Sequence, residues 1–179
     1  MQLDLTRLQG LRSHVERSYD AAVFDPRAED YRVAGPVTLA FDVEKAGPEV
    51  RLEGRAAARL ELACGRCLEP FSWPVDAAFR LRYLPQSANR GAEEQEVDET
   101  ALEVAFYEGD GIDLGQLLRE QFYLALPMKP LCRPDCRGLC PGCGGNRNTA
   151  ACGCDTRWED PRLAPLKRLA DPPSPNDES

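Results

Sequence analysis

Eight cysteines carry the chemistry this sequence offers. Six crowd into "LCRPDCRGLCPGCGGNRNTAACGC", from Leu131 to Cys154, with the spacing C-x3-C-x3-C-x2-C-x8-C-x-C. They are Cys132, Cys136, Cys140, Cys143, Cys152 and Cys154. The other two, Cys64 and Cys67, form a separate "CGRC". A C-x-x-C turn sets two sulfurs about one tetrahedral edge apart. The glycines in "CPGCG" let the backbone curl and aim N–H groups at the thiolates. The pattern therefore predicts a structural zinc site. Four thiolates around Zn²⁺ leave a charge of −2. Lys129, Arg133, Arg137, Arg147 and Arg157 lie close enough in sequence to balance it.

Which cysteines act together is open at this level. One site can use four of the six and leave two spare. Two zincs can share bridging thiolates. All eight can make two four-thiolate sites, with Cys64 and Cys67 taking part, or Cys64 and Cys67 can stand as a lone pair around Arg66. Cys140 and Cys143 are the first choice as ligands, followed by Cys132 and Cys136, then Cys152 and Cys154. Replacing Cys140 and Cys143 is expected to loosen 131–155 and spare the strands.

Other chemistry has less support. A thioredoxin-type dithiol opens a helix after a strand. "CPGC" lies in a Gly/Pro-rich loop and "CGRC" in a hairpin turn, so a thiol redox enzyme using Cys64 and Cys67 is the alternative reading. A catalytic zinc keeps an open position and often uses histidine. The single histidine, His14, is far off in sequence and reads as solvated. There is no phosphate loop, H-E-x-x-H or G-x-S-x-G. No catalytic residue, small-molecule substrate or enzyme is expected.

Three segments must position these cysteines. Val37, Leu39, Phe41 and Val43 alternate with polar residues. So do Val50, Leu52, Ala56, Ala58, Leu60, Leu62 and Cys64, and then Phe71, Trp73, Val75, Ala77, Phe79, Leu81 and Tyr83. Strict alternation predicts half-buried antiparallel strands. The shared face makes the aromatics core residues rather than stacking platforms for bases. Pro74 removes a ladder donor and predicts an edge or bulge. "MQLDLTRL" and "LEVAFYEG" (102–109) read as short strands. "DLGQLLREQFYLAL" (113–126) reads as a helix, capped by Asp113 with Gln116 in a capping-box position. Its apolar stripe is Leu114, Leu117, Leu118, Phe122 and Ala125. "DPRLAPLKRL" (160–169) reads as a short helix and "ADPPSPNDES" as a disordered tail. The fold class is α+β: an antiparallel sheet, a meander with closure into a barrel as an option, one packed helix, and a zinc-stapled C-terminal module. The divisions are 1–127, 128–169 and 170–179.

The net charge of −8 is unevenly spread. Residues 91–113 carry nine acids and no base, whereas 119–168 carry nine bases and five acids. The chain as a whole is a poor polyanion binder, but the cysteine segment can meet phosphate locally. No run of about 18 apolar residues and no basic-then-apolar leader is present, so neither a membrane span nor a secretory signal is expected. A cytoplasmic location follows, where thiols stay reduced.

Three strings in order, "LACGRCLEPF", "ALPMKPLCRPDCRGLCPGCGGNRN" and "DPRLAPLKRL", resemble the YceD family, the large ribosomal RNA subunit accumulation proteins. The likeness runs over roughly 60–169. It places the family's C-x-R-C on Cys64, Arg66 and Cys67, and its second cysteine motif on Cys132, Cys136, Cys140, Cys143, Cys152 and Cys154. Some members lack that second cluster. The resemblance implies a non-enzymatic role in large ribosomal subunit biogenesis, through pre-ribosomal RNA or a ribosomal protein. Arg133, Arg137, Arg147, Arg157 and Arg162 are the expected phosphate contacts. The acidic stretch at 93–113 can instead hold a basic ribosomal protein. An adaptor unrelated to ribosomes is the third reading.

Overall fold

The computed structural model describes residues 1–8, 12–24, 30–88, 104–154 and Arg162. The expected helix at 160–169, the tail, Arg157 and most of the acidic run lie outside the described residues, apart from Arg162 itself.

The alternating segments are strands with the faces their patterns require. Strands β4 (Val37–Ala46), β5 (Glu49–Ala63) and β6 (Pro70–Pro85) form an antiparallel meander. Val37, Leu39, Phe41, Val43, Val50, Leu52, Leu60, Phe79 and Tyr83 are buried on its inner face. Each such side chain contributes about 1.5–3 kcal/mol on burial. The outer face is charged and paired. Arg55 grips Asp76 with two 3.0 Å bonds, and Arg80 reaches Glu53 at 2.8 Å. These pairs are exposed and worth about 0–1 kcal/mol each, so burial on the inner face decides the register. His14 is not merely solvated: its ring nitrogens meet Asp42 at 2.8 Å and Glu16 at 3.3 Å. The Asp42 bond is the main cause that raises its pKa.

Further strands complete the sheet. β2 (Arg12–Tyr19) lies along β4, and β3 (Arg32–Val33) pairs with β5 beyond the end of β4. β7 (Val104–Tyr107) joins β6 in parallel, so the sheet is mixed rather than wholly antiparallel. Closure into a barrel is not found among the described residues. The order is β2-β4-β5-β6-β7, and its two ends do not pair. Closure would require β7 to meet β2. Instead the chain turns through a Glu108–Gly111 bridge into β8 (Gly111–Asp113), which pairs with β1 (Gln2–Asp4) as a separate ribbon. Around Pro74, β6 has a partner only on the β5 side among the described residues, as an edge proline demands.

Helix α1 (Leu114–Ala125) closes the core. Asp113 caps it by accepting from the backbone of Gly115 at 2.8 Å and of Gln116 at 3.4 Å. The reciprocal half of a capping box is missing, because the Gln116 side chain donates to Glu120 instead. Leu114, Leu117, Leu118 and Phe122 are buried, and Ala125 packs at the margin. Phe122 meets Tyr31 edge-on at 6.0 Å between ring centres.

One glycine in β5 is set by close approach. Gly54 lies opposite Phe41, and a Cβ there would run into the Phe41 Cβ and the Ala40 carbonyl oxygen. Gly54→Ala is therefore expected to destabilise the fold by about 1–3 kcal/mol, against the ordinary gain from removing a glycine. A urea unfolding series reads this as a lower midpoint at unchanged slope.

Candidate metal centres

The chain gathers its eight cysteines into two groups of four. Cys64, Cys67, Cys132 and Cys136 make one, and Cys140, Cys143, Cys152 and Cys154 the other. Within each group the sulfurs all lie within 4.8 Å of one another, so each can hold a metal ion. None of the eight is in a disulfide.

The first group joins two distant parts of the chain. Cys64 and Cys67 sit in the β5–β6 turn, and Cys132 and Cys136 follow helix α1. The Sγ atoms of Cys64 and Cys136 are 3.8 Å apart, as are those of Cys67 and Cys132. Zinc–sulfur bonds of about 2.3 Å at tetrahedral angles place sulfurs roughly 3.8 Å apart. A disulfide would need about 2.05 Å. The donor set and its spacing thus fit a four-coordinate thiophilic ion. Cys64, Cys67 and Cys136 are buried, with Phe71 and Leu131 packed over them. Backbone bonds fasten the two parts together: Gly65 N–H to the Pro130 carbonyl at 2.8 Å, and Leu139 N–H to the Arg66 carbonyl at 3.0 Å. The Arg66 guanidinium donates to the Cys136 carbonyl at 2.8 Å.

The second group is more open. Cys140 is buried, but Cys143, Cys152 and Cys154 are exposed. A small loop presents it, closed by a Leu139–Asn146 bridge and an Arg147 N–H bond to the Gly138 carbonyl.

Both groups are built on the same turn. In the first, Leu68 N–H bonds to the Cys64 carbonyl and Cys64 N–H to the Glu69 carbonyl. In the second, Gly144 N–H bonds to the Cys140 carbonyl and Cys140 N–H to the Gly145 carbonyl. The residue after the second cysteine is left-handed in each, with φ of 62° at Leu68 and 72° at Gly144. Such a knuckle turns backbone N–H groups toward sulfur. Backbone bonding at Cys132 is the leading cause that lowers the Cys64 pKa to about 6. Backbone bonding at Cys143 does the same for Cys140, also to about 6. Cys132 and Cys154 move the other way. Burial first, then the other thiols, pushes Cys132 up to about 12. The Cys143 side chain leads in raising Cys154 to about 12. Without a cation, each group cannot ionise fully, because thiolates this close repel.

Asn148 is a candidate site residue that sequence reasoning missed. Its Nδ2 donates to Cys136 Sγ at 3.3 Å, and its Oδ1 accepts from Arg137 N–H at 2.9 Å and from Arg133 at 2.8 Å. Its only signal was a polar side chain between ligand cysteines in "GGNRNTAAC". Of the five expected phosphate contacts, Arg133 is held by Asn148 and lies 3.6 Å from Asp135. Arg137 and Arg147 line one hollow of about 320 Å³ together with Ala150, Ala151 and Cys152. Arg162 is exposed.

Among the described residues Leu68 is the one left-handed residue that is not glycine, and it is 65% exposed. Left-handed backbone costs an ordinary residue about 1–2 kcal/mol. Leu68→Gly is expected to leave metal content unchanged and raise stability by up to about 1 kcal/mol, the strain relief less the extra freedom glycine gives the unfolded chain. A higher thermal midpoint at equal metal content is the readout.

An uncharacterised protein of Mycobacterium tuberculosis is 34% identical over 144 residues, taking in 76% of this chain and 63% of that relative. A maize protein named large ribosomal RNA subunit accumulation protein YCED homolog 1, chloroplastic, is 29% identical over 155 residues, 74% of this chain and 53% of the relative. Its Arabidopsis thaliana namesake is 23% identical over 162 residues, 79% of this chain and 50% of the relative. The chain thus spans between half and two thirds of the length of these relatives. No solved structure matches it significantly. The model of the family described as large ribosomal RNA subunit accumulation protein YceD matches residues 52–170, a stretch that holds both knuckles and all eight cysteines, and the chain belongs to that family.

Proposed function

We propose that this protein is a non-enzymatic factor in large ribosomal subunit biogenesis, acting in the cytoplasm. It supports accumulation of large-subunit ribosomal RNA by binding pre-ribosomal RNA through its cysteine segment. The family membership supports the process, and one observation carries the mechanism. Arg137 and Arg147 face a common hollow, and neither guanidinium has an ion pair or side-chain hydrogen bond among the described residues. Elsewhere the arginines of this acidic chain are mostly spent on Asp and Glu, as Arg55 and Arg80 are. Two uncommitted guanidiniums side by side suit a phosphodiester.

Zinc is the ion we assign to both groups, as a structural element. All-thiolate sites are usually closed and structural. Cys64, Cys67, Cys132 and Cys136 would hold one ion, and Cys140, Cys143, Cys152 and Cys154 the other. When bound, zinc neutralises thiolate charge and fixes the loop that carries the arginines. We retain 1–127 as a β-rich domain and 128–169 as a module that docks on it through the first group. Burial supports metal over redox work for Cys64 and Cys67. They are 0% and 4% exposed, whereas exchange with a disulfide substrate needs an accessible attacking thiolate.

Elemental analysis of protein purified without chelator should find two zincs per chain. Cys140→Ser with Cys143→Ser should retain one and keep the sheet folded. Cys64→Ser with Cys67→Ser should lose the first ion and unfasten 130–139 from the β5–β6 turn, read as faster amide exchange there. Two zincs retained in the Cys140/Cys143 variant would refute the assignment.

Affinity for pre-ribosomal RNA transcribed in vitro should fall steeply with salt. Arg137→Ala with Arg147→Ala should flatten the log–log slope by about 1.5, the loss of two phosphate contacts. An unchanged slope would remove these arginines from the interface.

A further inference from the structure

A second cleft, on the opposite charge, is not used by the RNA reading. β7 and β8 leave the Glu108–Gly111 bridge and part company. Among the described residues β7 pairs only with β6 and β8 only with β1, so each keeps an open strand edge. Residues of both strands line one cleft of about 600 Å³. Glu108, Asp113 and Glu120 line it as well, with no lysine or arginine among the lining residues.

Asp113 is already committed. It caps α1 and lies 3.9 Å from the N-terminal ammonium. Glu120 accepts one bond from Gln116 and keeps a free oxygen. Glu108 has no ion pair or hydrogen bond from its side chain among the described residues. A buried group points the same way. Tyr83 is 6% exposed and lines the cleft, yet its hydroxyl makes no hydrogen bond to any described residue. Burial, with Glu120 and Asp113 adding their charge, raises its pKa, so the phenol stays protonated at neutral pH. The side chain is held in place by burial while its hydroxyl stays available to bond a ligand at the cleft.

We infer that this cleft binds an extended, cationic polypeptide segment, with a lysine or arginine side chain set between Glu108, Glu120 and the Tyr83 hydroxyl. The chemistry selects that occupant. Carboxylates repel phosphate, so the cleft disfavours nucleic acid. The only compact ligand groups among the described residues are the two cysteine clusters, so the carboxylates are too dispersed for a metal ion. Two open strand edges offer the backbone pairing that an extended peptide uses. This inference does not depend on the arginine hollow and stands whether or not that hollow binds RNA.

The test uses the full chain and a labelled ten-residue peptide of alternating lysine and valine, read by fluorescence anisotropy. The peptide should bind, and its glutamine–valine counterpart should bind at least tenfold more weakly. Glu108→Gln with Glu120→Gln should weaken the lysine peptide at least tenfold at unchanged thermal midpoint. Both glutamates are exposed, so the exchange leaves the core alone. Tyr83→Phe should weaken it severalfold. The same glutamate variant should keep its RNA affinity, which separates this site from the arginine hollow. No binding of the lysine peptide, or equal binding by the glutamate variant, overturns the inference.

Discussion

The meeting of Cys64 and Cys67 with Cys132 and Cys136 is the constraint on which the rest of the cysteine segment depends. The two pairs are separated by more than sixty residues of chain, including three strands and the only α-helix among the described residues. Closing a loop of that length has an entropic cost of several kcal/mol that grows slowly with length. Two backbone bonds, at Gly65 and Leu139, return about 1 kcal/mol each. Four neutral thiols add little adhesion, and four thiolates would repel. A divalent cation reverses that balance, because it turns the repulsion into the bond that closes the loop.

The second group depends on the first in a simple geometric sense. Its loop begins at Leu139, whose N–H is already tied to Arg66 in the β5–β6 turn. Asn148 then reaches back from the second loop to Cys136 of the first group. The anchored site is buried and the dependent one is mostly exposed. The exposed site is also the one that borders Arg137 and Arg147. Rigidity is thus passed outward from the sheet to the guanidiniums through two successive thiolate groups.

The strands of the meander were legible because one face is buried and one is wet, which writes period two into β4, β5 and β6. The helix was legible from Asp113 and the Leu114–Phe122 stripe. β2 was not, because "RSHVERSY" is an edge strand held by charged cross-strand pairs, and only Val15 and Tyr19 pack against the core. The parallel joining of β7 was illegible, since alternation records faces and not direction. The partition of the cysteines was also hidden. Six in a row admit several ligand sets, and spacing alone cannot say that Cys132 and Cys136 leave their neighbours for Cys64 and Cys67. The repeated knuckle holds the clue in hindsight. Two C-x-x-C turns each need a second pair, and the chain has just two pairs to give.

Charge segregation gives the molecule two unlike faces. The carboxylates around β7, β8 and α1 gather where backbone edges are open. Arg137 and Arg147, which have no ion pair among the described residues, gather beside Cys152 of the second group. On an acidic chain a basic patch has to be held rigid to act. Its long-range field is cancelled by the rest of the surface, and at physiological salt only charges within about 8 Å are felt strongly. Binding of RNA by such a protein depends on short-range geometry rather than on steering from afar. Metal bound at the two cysteine groups, as proposed, would cross-link the Arg137 loop and supply that geometry. A cation held in the acidic cleft, by contrast, would work with the net charge of the chain, directed by the strand edges and the Tyr83 hydroxyl that have no partner among the described residues.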